Sequence, residues 1–379
     1  MVDKTGIILS VILHVTAVLL LGASISAGLF VIHVAVVPLI FKYCETFRRT
    51  IVFLNFVQWP LKIDYEEPAS CGVEGARNIR IQYSSRVDGC PVRIGIWHIL
   101  PKTVYERLQD KFKLVDKEEL NKILDKELAN SKTPVILYCH GNSNSRAASH
   151  RILLYRLFQK MDYHTIAFDY RGYGDSTNLT PSEQGVVEDS LAVYGWLHDT
   201  LDSYRDGDDV APPLFVWGHS LGTGISSNLL GNLDSLSAEL QDRRAPLPQP
   251  RGLILEAPFN NMADEVANYP LTMLAKWLPY YDYAFIAPFR QSERFSFRSD
   301  CHLSRVNSLP ILILHAKDDQ VVPYVVGERL YRTLVASRAG AGAAVTLHSY
   351  SRDQNLGHKY ICNAQDLPQV VGDFVNSHR

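Results

Sequence analysis

The sequence predicts an α/β fold, a mostly parallel sheet with helices on both faces, and three observations predict it. Short apolar runs recur along the chain: Val135–Cys139, His164–Phe168, Phe215–Gly218, Gly252–Glu256 and Ile311–His315. They are mostly apolar, as strands covered on both faces are. Stretches of helical pattern alternate with them, and in such sheets sites lie beyond the carboxyl ends of the strands.

The chain begins with an apolar tract. Gly6 to Phe41 holds no Asp, Glu, Lys or Arg, well beyond the roughly 20 residues that span a bilayer. Two spans joined at Gly22–Gly28 would each fall below about 17 residues. One membrane helix is therefore expected, its remainder reaching the interface at Val37-Pro38-Leu39. The alternative is a cleaved signal peptide with Ala23–Ala27 as its small-residue site. Lys4 precedes the tract while Lys42, Arg48 and Arg49 follow it, which by charge alone would put the body in the cytoplasm. Ile51–Pro60 is apolar and aromatic but too short to span, and it suits the membrane surface or packing against the body. The expected organisation is an anchor at 1–50, a membrane-proximal linker at 51–76 and a body at 77–379.

Within the body, Asn78–Tyr83 and Val92–Leu100 alternate as strands and form a leading hairpin around Asp88-Gly89. Lys102–Lys132 is charged and helical in pattern, the signature of a solvated face. After strand Val135–Cys139 come helix Ala147–Met161, strand His164–Phe168 and helix Ser182–Leu201. The run ending at Gly218 leads into helix Ile225–Leu240, and a Pro-rich loop, Ala245–Pro250, precedes strand Gly252–Glu256. An insertion at 259–304 interrupts the alternation. Strand Ile311–His315, helix Tyr324–Ala336, strand Val345–Tyr350 and a final helix close the chain.

Composition excludes some functions. Lys and Arg number 38 against 40 Asp and Glu, for a net charge of −2, so no basic surface argues for nucleic acid. The six cysteines show no C-x-x-C spacing or paired histidine ligands, so neither a metal site nor a cofactor is expected. Cys71 and Cys90 bracket a strand and could pair in an oxidising compartment. Asn178-Leu179-Thr180, followed by Pro181, is the single glycosylation-type sequon.

Candidate chemistry gathers at the strand ends. Gly218-His219-Ser220-Leu221-Gly222 follows a buried strand and opens a helix, the layout of a nucleophile elbow that holds a serine hydroxyl out of the sheet. His140-Gly141-Asn142 follows another strand; there the Asn142 N–H would join the Leu221 N–H as an oxyanion hole, with the His140 side chain filling the turn. Asp318 and Asp319 follow the strand ending at His315, and Asp319, nearer Val321-Val322-Pro323, is the expected acid. His358, in a Gly-containing loop after the last strand, is the expected base. The order Ser220, Asp319, His358 is that of a hydrolase triad on such a sheet. Arg146 and Arg151, just past the oxyanion turn, could meet a phosphodiester headgroup or be plain helix-surface charges. Trp277 and Phe285 in the insertion could wall an acyl chain or be extra core.

These residues resemble the α/β-hydrolase domain-containing 12 family of membrane-anchored lipases. The likeness runs through Phe53-Leu54-Asn55-Phe56-Val57, Ile96-Trp97-His98, His140-Gly141-Asn142, and Phe168-Asp169-Tyr170-Arg171-Gly172-Tyr173-Gly174-Asp175-Ser176. It continues in Trp217-Gly218-His219-Ser220-Leu221-Gly222-Thr223-Gly224, Leu314–Pro323 and His358-Lys359-Tyr360-Ile361. Lys102–Lys132 is longer than the family's connection. The resemblance implies an α/β-hydrolase fold with Ser220, Asp319 and His358 as its triad. It further implies lysophosphatidylserine and monoacylglycerols as substrates, an endoplasmic-reticulum membrane, and a body on the lumenal or extracellular side. A depalmitoylating thioesterase or a non-catalytic membrane scaffold are the competing readings.

Overall fold

The computed structural model describes residues 4–207, 210–238, 246–338 and 342–379. Eight strands form one sheet: β1 Ala76–Ser84, β2 Pro91–Ile99, β3 Val135–Cys139, β4 His164–Phe168, β5 Leu214–His219, β6 Gly252–Glu256, β7 Ile311–Ala316 and β8 Val345–Tyr350. Their order is β1-β2-β4-β3-β5-β6-β7-β8. The first three in that order pair antiparallel, and every later pair is parallel. Strands β3 to β7 are buried along their whole length, which is why they read as unbroken apolar runs. Their side chains still alternate: Leu137, Cys139 and Val216 enter one core, while Ile136, Tyr138 and Trp217 enter another. Each face of the sheet thus has its own core.

The hairpin joining β1 and β2 turns at Gly89, whose φ of 65° needs no Cβ penalty there. The charged segment after β2 is not one solvated helix. It divides into Lys102–Leu108, Lys111–Leu114 and Lys117–Ala129, and Asp116 caps the last by accepting from the Glu119 N–H at 2.9 Å. Leu100, Val104, Leu108 and Leu124 bury a small satellite core between these pieces. The helix after the elbow is also divided, into Leu221–Gly231 and Leu233–Ala238, with its expected end beyond the described residues.

At the N-terminus the apolar tract breaks at Gly22, where φ is 82°. Helix Lys4–Leu21 packs beside Ala23–Val31, and His14 stacks on His33 with ring centroids 5.2 Å apart. The second arm continues through a π-helical turn, Ile32–Val36, to Tyr43. Among the described residues, Ala23–Tyr43 is the helix long and apolar enough to cross a membrane; Thr5–Leu21 is shorter. The tract is a pair of helices kinked at Gly22, and one of them has the expected spanning length.

All six cysteines are free thiols. Cys71 precedes β1 while Cys90 leads into β2 beside the far end of β1. Nine strand residues, roughly 30 Å, separate them, so the considered pairing is excluded by reach.

Candidate active site

The elbow shows why its glycines are glycines. Ser220 sits between β5 and the following helix at φ 53°, ψ −120°, a strained conformation for a residue with a side chain. A Cβ at Gly222 would lie 2.0 Å from the Cys139 carbonyl oxygen, and one at Gly218 would lie 2.6 Å from that of Gly222. Gly224 likewise lets Phe259 and Phe297 of the insertion press against the helix. The Ser220 N–H donates to the Glu256 carbonyl at 3.0 Å and ties the turn to the neighbouring strand.

Three distant segments then meet. The Ser220 hydroxyl donates to His358 Nε2 at 2.9 Å, and His358 Nδ1–H donates to Asp319 Oδ2 at 2.7 Å. Asp319 is fixed on its other side: its Oδ1 accepts from the N–H groups of Val321 at 2.8 Å and Val322 at 3.0 Å. Burial works against the Asp319 charge, but His358 and His315 outweigh it and hold the carboxyl well below the usual carboxylate range. Asp318, the alternative acid, instead accepts from the Gly357 N–H at 2.9 Å and so shapes the loop that carries His358. His315 donates to the Val322 carbonyl at 2.9 Å and lies 3.5 Å from Asp319 Oδ2. From sequence it read as an ordinary strand residue; here it braces the acid.

The oxyanion turn is held from both sides. Arg151 donates to the carbonyls of Ser145 at 2.6 Å, Gly141 at 2.9 Å, Ser143 at 3.0 Å and Asn142 at 3.3 Å. On the other side the Ser143 and Asn144 N–H groups donate to the Phe53 and Val57 carbonyls, and Asn142 Nδ2 donates to that of Val52. The 51–60 stretch thus packs on the body, with Val52 and Phe53 buried and Phe56 and Trp59 exposed. His140 is buried in its turn, its Nε2 3.2 Å from Asp169 Oδ1 and its ring 4.4 Å from that of Tyr170.

Neither arginine is placed to meet a headgroup. Arg151 is buried and committed to the loop carbonyls just described. Arg146 is fully buried, bonded to Asp169 at 2.5 Å, Asp175 at 2.6 Å and Asn78 at 3.0 Å, with its guanidinium 4.4 Å from the Tyr65 ring. Both readings weighed from sequence, headgroup ligand and surface charge, give way to that of structural cations. Charge spacing cannot distinguish a buried arginine from an exposed one when its carboxylate partners lie on other elements.

A cavity of about 610 Å³ opens over Ser220, within the range of about 300–1,000 Å³ usual for small-molecule sites. Ser220, Asn142 and Leu221 form its floor, with Phe259, Met262, Phe285 and Phe289 of the insertion above them. Phe285 is therefore in the wall. Trp277 does not line it; its indole N–H donates to the Leu274 carbonyl at 2.8 Å and its ring meets His33. Sequence reasoning missed Glu265, which lines this cavity with a buried, unpartnered Oε2. Burial first, then the charges of Asp319 and Asp264, push its pKa well above the carboxylate range.

Comparison with known proteins agrees with this fold. The alpha/beta hydrolase fold family matches residues 134–240. Lysophosphatidylserine lipase ABHD12 of Danio rerio is 35% identical over 91% of this chain and 81% of its own. The chain belongs to the ABHD12 family of alpha/beta hydrolases. Within that family, ABHD12 of Rattus norvegicus is 34% identical over 89% of this chain and 76% of its own. Protein ABHD12B of Homo sapiens is 31% identical over 86% and 79%. Among solved structures, the Pyrococcus furiosus esterase Pf2001 shares the fold at a TM-score of 0.54 and 17% identity, covering 85% of this chain and 98% of that one. As a member of the family the chain is a hydrolase of the lipase and esterase kind.

Proposed function

We propose that the chain is a membrane-anchored serine hydrolase cleaving the acyl ester of lysophospholipids, lysophosphatidylserine among them, and of monoacylglycerols. The observation that carries this reading is the hydrogen-bonded Ser220–His358–Asp319 line at the floor of an apolar cavity. A hydroxyl bonded to an imidazole, with the imidazole bonded to a carboxylate, is built to transfer an acyl group. An apolar cavity above it suits a fatty chain, and relatives named for lysophosphatidylserine point to the headgroup.

In this mechanism His358 takes the Ser220 proton as the hydroxyl attacks the ester carbonyl, and Asp319 holds the imidazole in the required tautomer. The N–H groups of Asn142 and Leu221 receive the oxyanion; losing one such donor costs about 3 kcal/mol of transition-state stabilisation. His358 then protonates the departing glycerol oxygen, and water attacks the acyl-enzyme by the reverse relay. The apolar N-terminal helices keep the site beside its lipid, with the body on the lumenal or extracellular face of an endoplasmic-reticulum membrane. Protease protection of sealed microsomes reads that side.

The test is lipid turnover by purified full-length protein against Ser220→Ala, with a fluorophosphonate probe in parallel. The proposal expects the wild type to be labelled and to release fatty acid from both lipids, and Ser220→Ala to do neither. Labelling without release from either lipid, or hydrolysis of acyl-cysteine thioesters alone, would sink it. A folded wild type that takes no label would leave the scaffold reading.

A further inference from the structure

We infer that the apolar N-terminal helices, beyond anchoring the chain, form the wall of the catalytic cavity that measures the acyl tail. The inference rests on the lipase reading above and specifies where its tail selectivity lies. Leu13, His33, Val37 and Phe41 line the same cavity as Ser220. The last three are spaced four apart, one helical face, and that face looks into the site rather than into lipid. Neighbouring residues on the same helices, Val31, Ile32, Leu39 and Ile40, are exposed and apolar. In a bilayer they would meet acyl chains of the membrane, so a single layer of helix separates lipid from the catalytic chamber.

The wall is pinned in place, not merely adjacent. Pro38 has no N–H to offer the Val34 carbonyl four residues before it; the Tyr280 hydroxyl of the insertion donates there instead. The π-helical turn at Ile32–Val36 accompanies that break. His33 Nε2–H donates to the Leu274 carbonyl at 3.0 Å, the Phe41 ring lies 4.7 Å from that of Phe285, and Lys42 Nζ sits 3.9 Å from the centre of the Tyr283 ring. Beyond Tyr43 the chain runs into Ile51, Val52 and Leu54, which also line the cavity. The next few residues hold the oxyanion turn. One continuous segment therefore borders both the tail chamber and the reacting carbonyl, and a single-chain lipid is the ligand whose shape fills both.

The experiment uses full-length protein in detergent micelles, with octanoyl and stearoyl monoacylglycerol as paired substrates. Val37→Trp should lower kcat/KM for the stearoyl ester about tenfold relative to the octanoyl ester, the discrimination expected when chain methylenes lose their pocket. Phe41→Ala should shift the ratio the other way. Leu20→Trp, on the same helices but outside the lining, should leave the ratio at its wild-type value. Fluorophosphonate labelling of Ser220 reports that each variant is folded; should Val37→Trp fail to label, Val37→Leu takes its place with the same ratio read. Unchanged ratios in labelled variants would overturn the inference while leaving the lipase reading intact. A wild type that labels but cleaves neither ester would remove the lipase reading itself.

Discussion

The floor and the roof of the cavity are built differently. On the floor, Ser220, Asp319 and the oxyanion turn hang from loops at the ends of fully buried strands, His358 from the loop after the half-buried β8, and side-chain or main-chain hydrogen bonds fix each of them. The roof is made of short helical pieces, Met262–Asn268, Pro270–Leu274 and Asp282–Ile286, with the N-terminal helices laid against them. Its lining is largely apolar, and its fit comes from ring and aliphatic packing such as Phe41 on Phe285. The floor can therefore hold reacting atoms within tenths of an ångström, as proton transfer demands. On the proposed reading the roof has only to exclude water and accommodate chains, and apolar packing tolerates changes of shape far better than a hydrogen-bonded relay does. Substitutions on the floor should cost turnover, whereas those in the roof should redistribute substrates.

The largest effect expected from that contrast is at Asp319. Replacing it with Asn keeps the shape but removes the charge that stabilises imidazolium and leaves an amide where the Nδ1–H must find an acceptor. A loss of about 10⁴ in kcat is expected, with the octanoyl-to-stearoyl ratio unchanged. Steady-state kinetics on the two esters decides it: a shift in the ratio would mean that the acid also shapes the chamber.

Next is Arg146, which tests whether the buried polar layer supports the site or binds substrate. Arg146→Ala strands the fully buried Asp169 without its cation, and breaking such a pair typically costs about 3–5 kcal/mol. The denaturation midpoint should fall accordingly. In the fraction that remains folded, KM for lysophosphatidylserine should change no more than KM for monoacylglycerol. A selective loss of the phosphorylated substrate would return Arg146 to a headgroup role.

How much of this could be read beforehand follows from the same contrast. The central strands announced themselves because burial on both faces writes a largely apolar run, and three of them coincide end to end with the structure (Val135–Cys139, His164–Phe168, Gly252–Glu256), as does the half-buried Val345–Tyr350. The three segments that meet at Ser220, His358 and Asp319 were legible because an elbow needs glycines at set places and because the proposed acid and base follow particular strands. His315, Arg146 and Arg151 were not, since what makes them structural is a partner on another element. The N-terminal tract yielded its one helix of spanning length, Ala23–Tyr43, but not the packing of that helix against the body. Hydropathy records that Val37 and Phe41 avoid water, and a bilayer and an apolar cavity satisfy that preference equally. The break at Gly22 was masked by the apolar residues on either side of it.

The smallest predicted effect concerns Glu256, whose carbonyl ties down the elbow and which carries no part of the relay. Its carboxyl is fully enclosed, accepts from the Trp217 indole N–H at 2.9 Å, and has its pKa raised from 4.5 to about 7, by burial first and then by the Asp319 charge, against the opposing indole bond. In the unfolded chain it ionises near the ordinary value. Below that value both states hold the proton and folding carries no penalty. Between it and about pH 7 the unfolded chain gives up its proton while the folded one keeps it, so stability falls as pH rises; above about 7 the penalty is constant. The full difference is about 3 kcal/mol. Glu256→Gln retains an acceptor for the indole but cannot ionise, so it should gain stability over wild type progressively from pH 5 to pH 8, approaching that amount. Denaturant titrations of the two proteins at both pH values read the difference directly, since every other titrating group is common to them. A gap that does not widen with pH would show that Glu256 is already ionised in the fold, and that the floor tolerates a second buried charge beside Asp319.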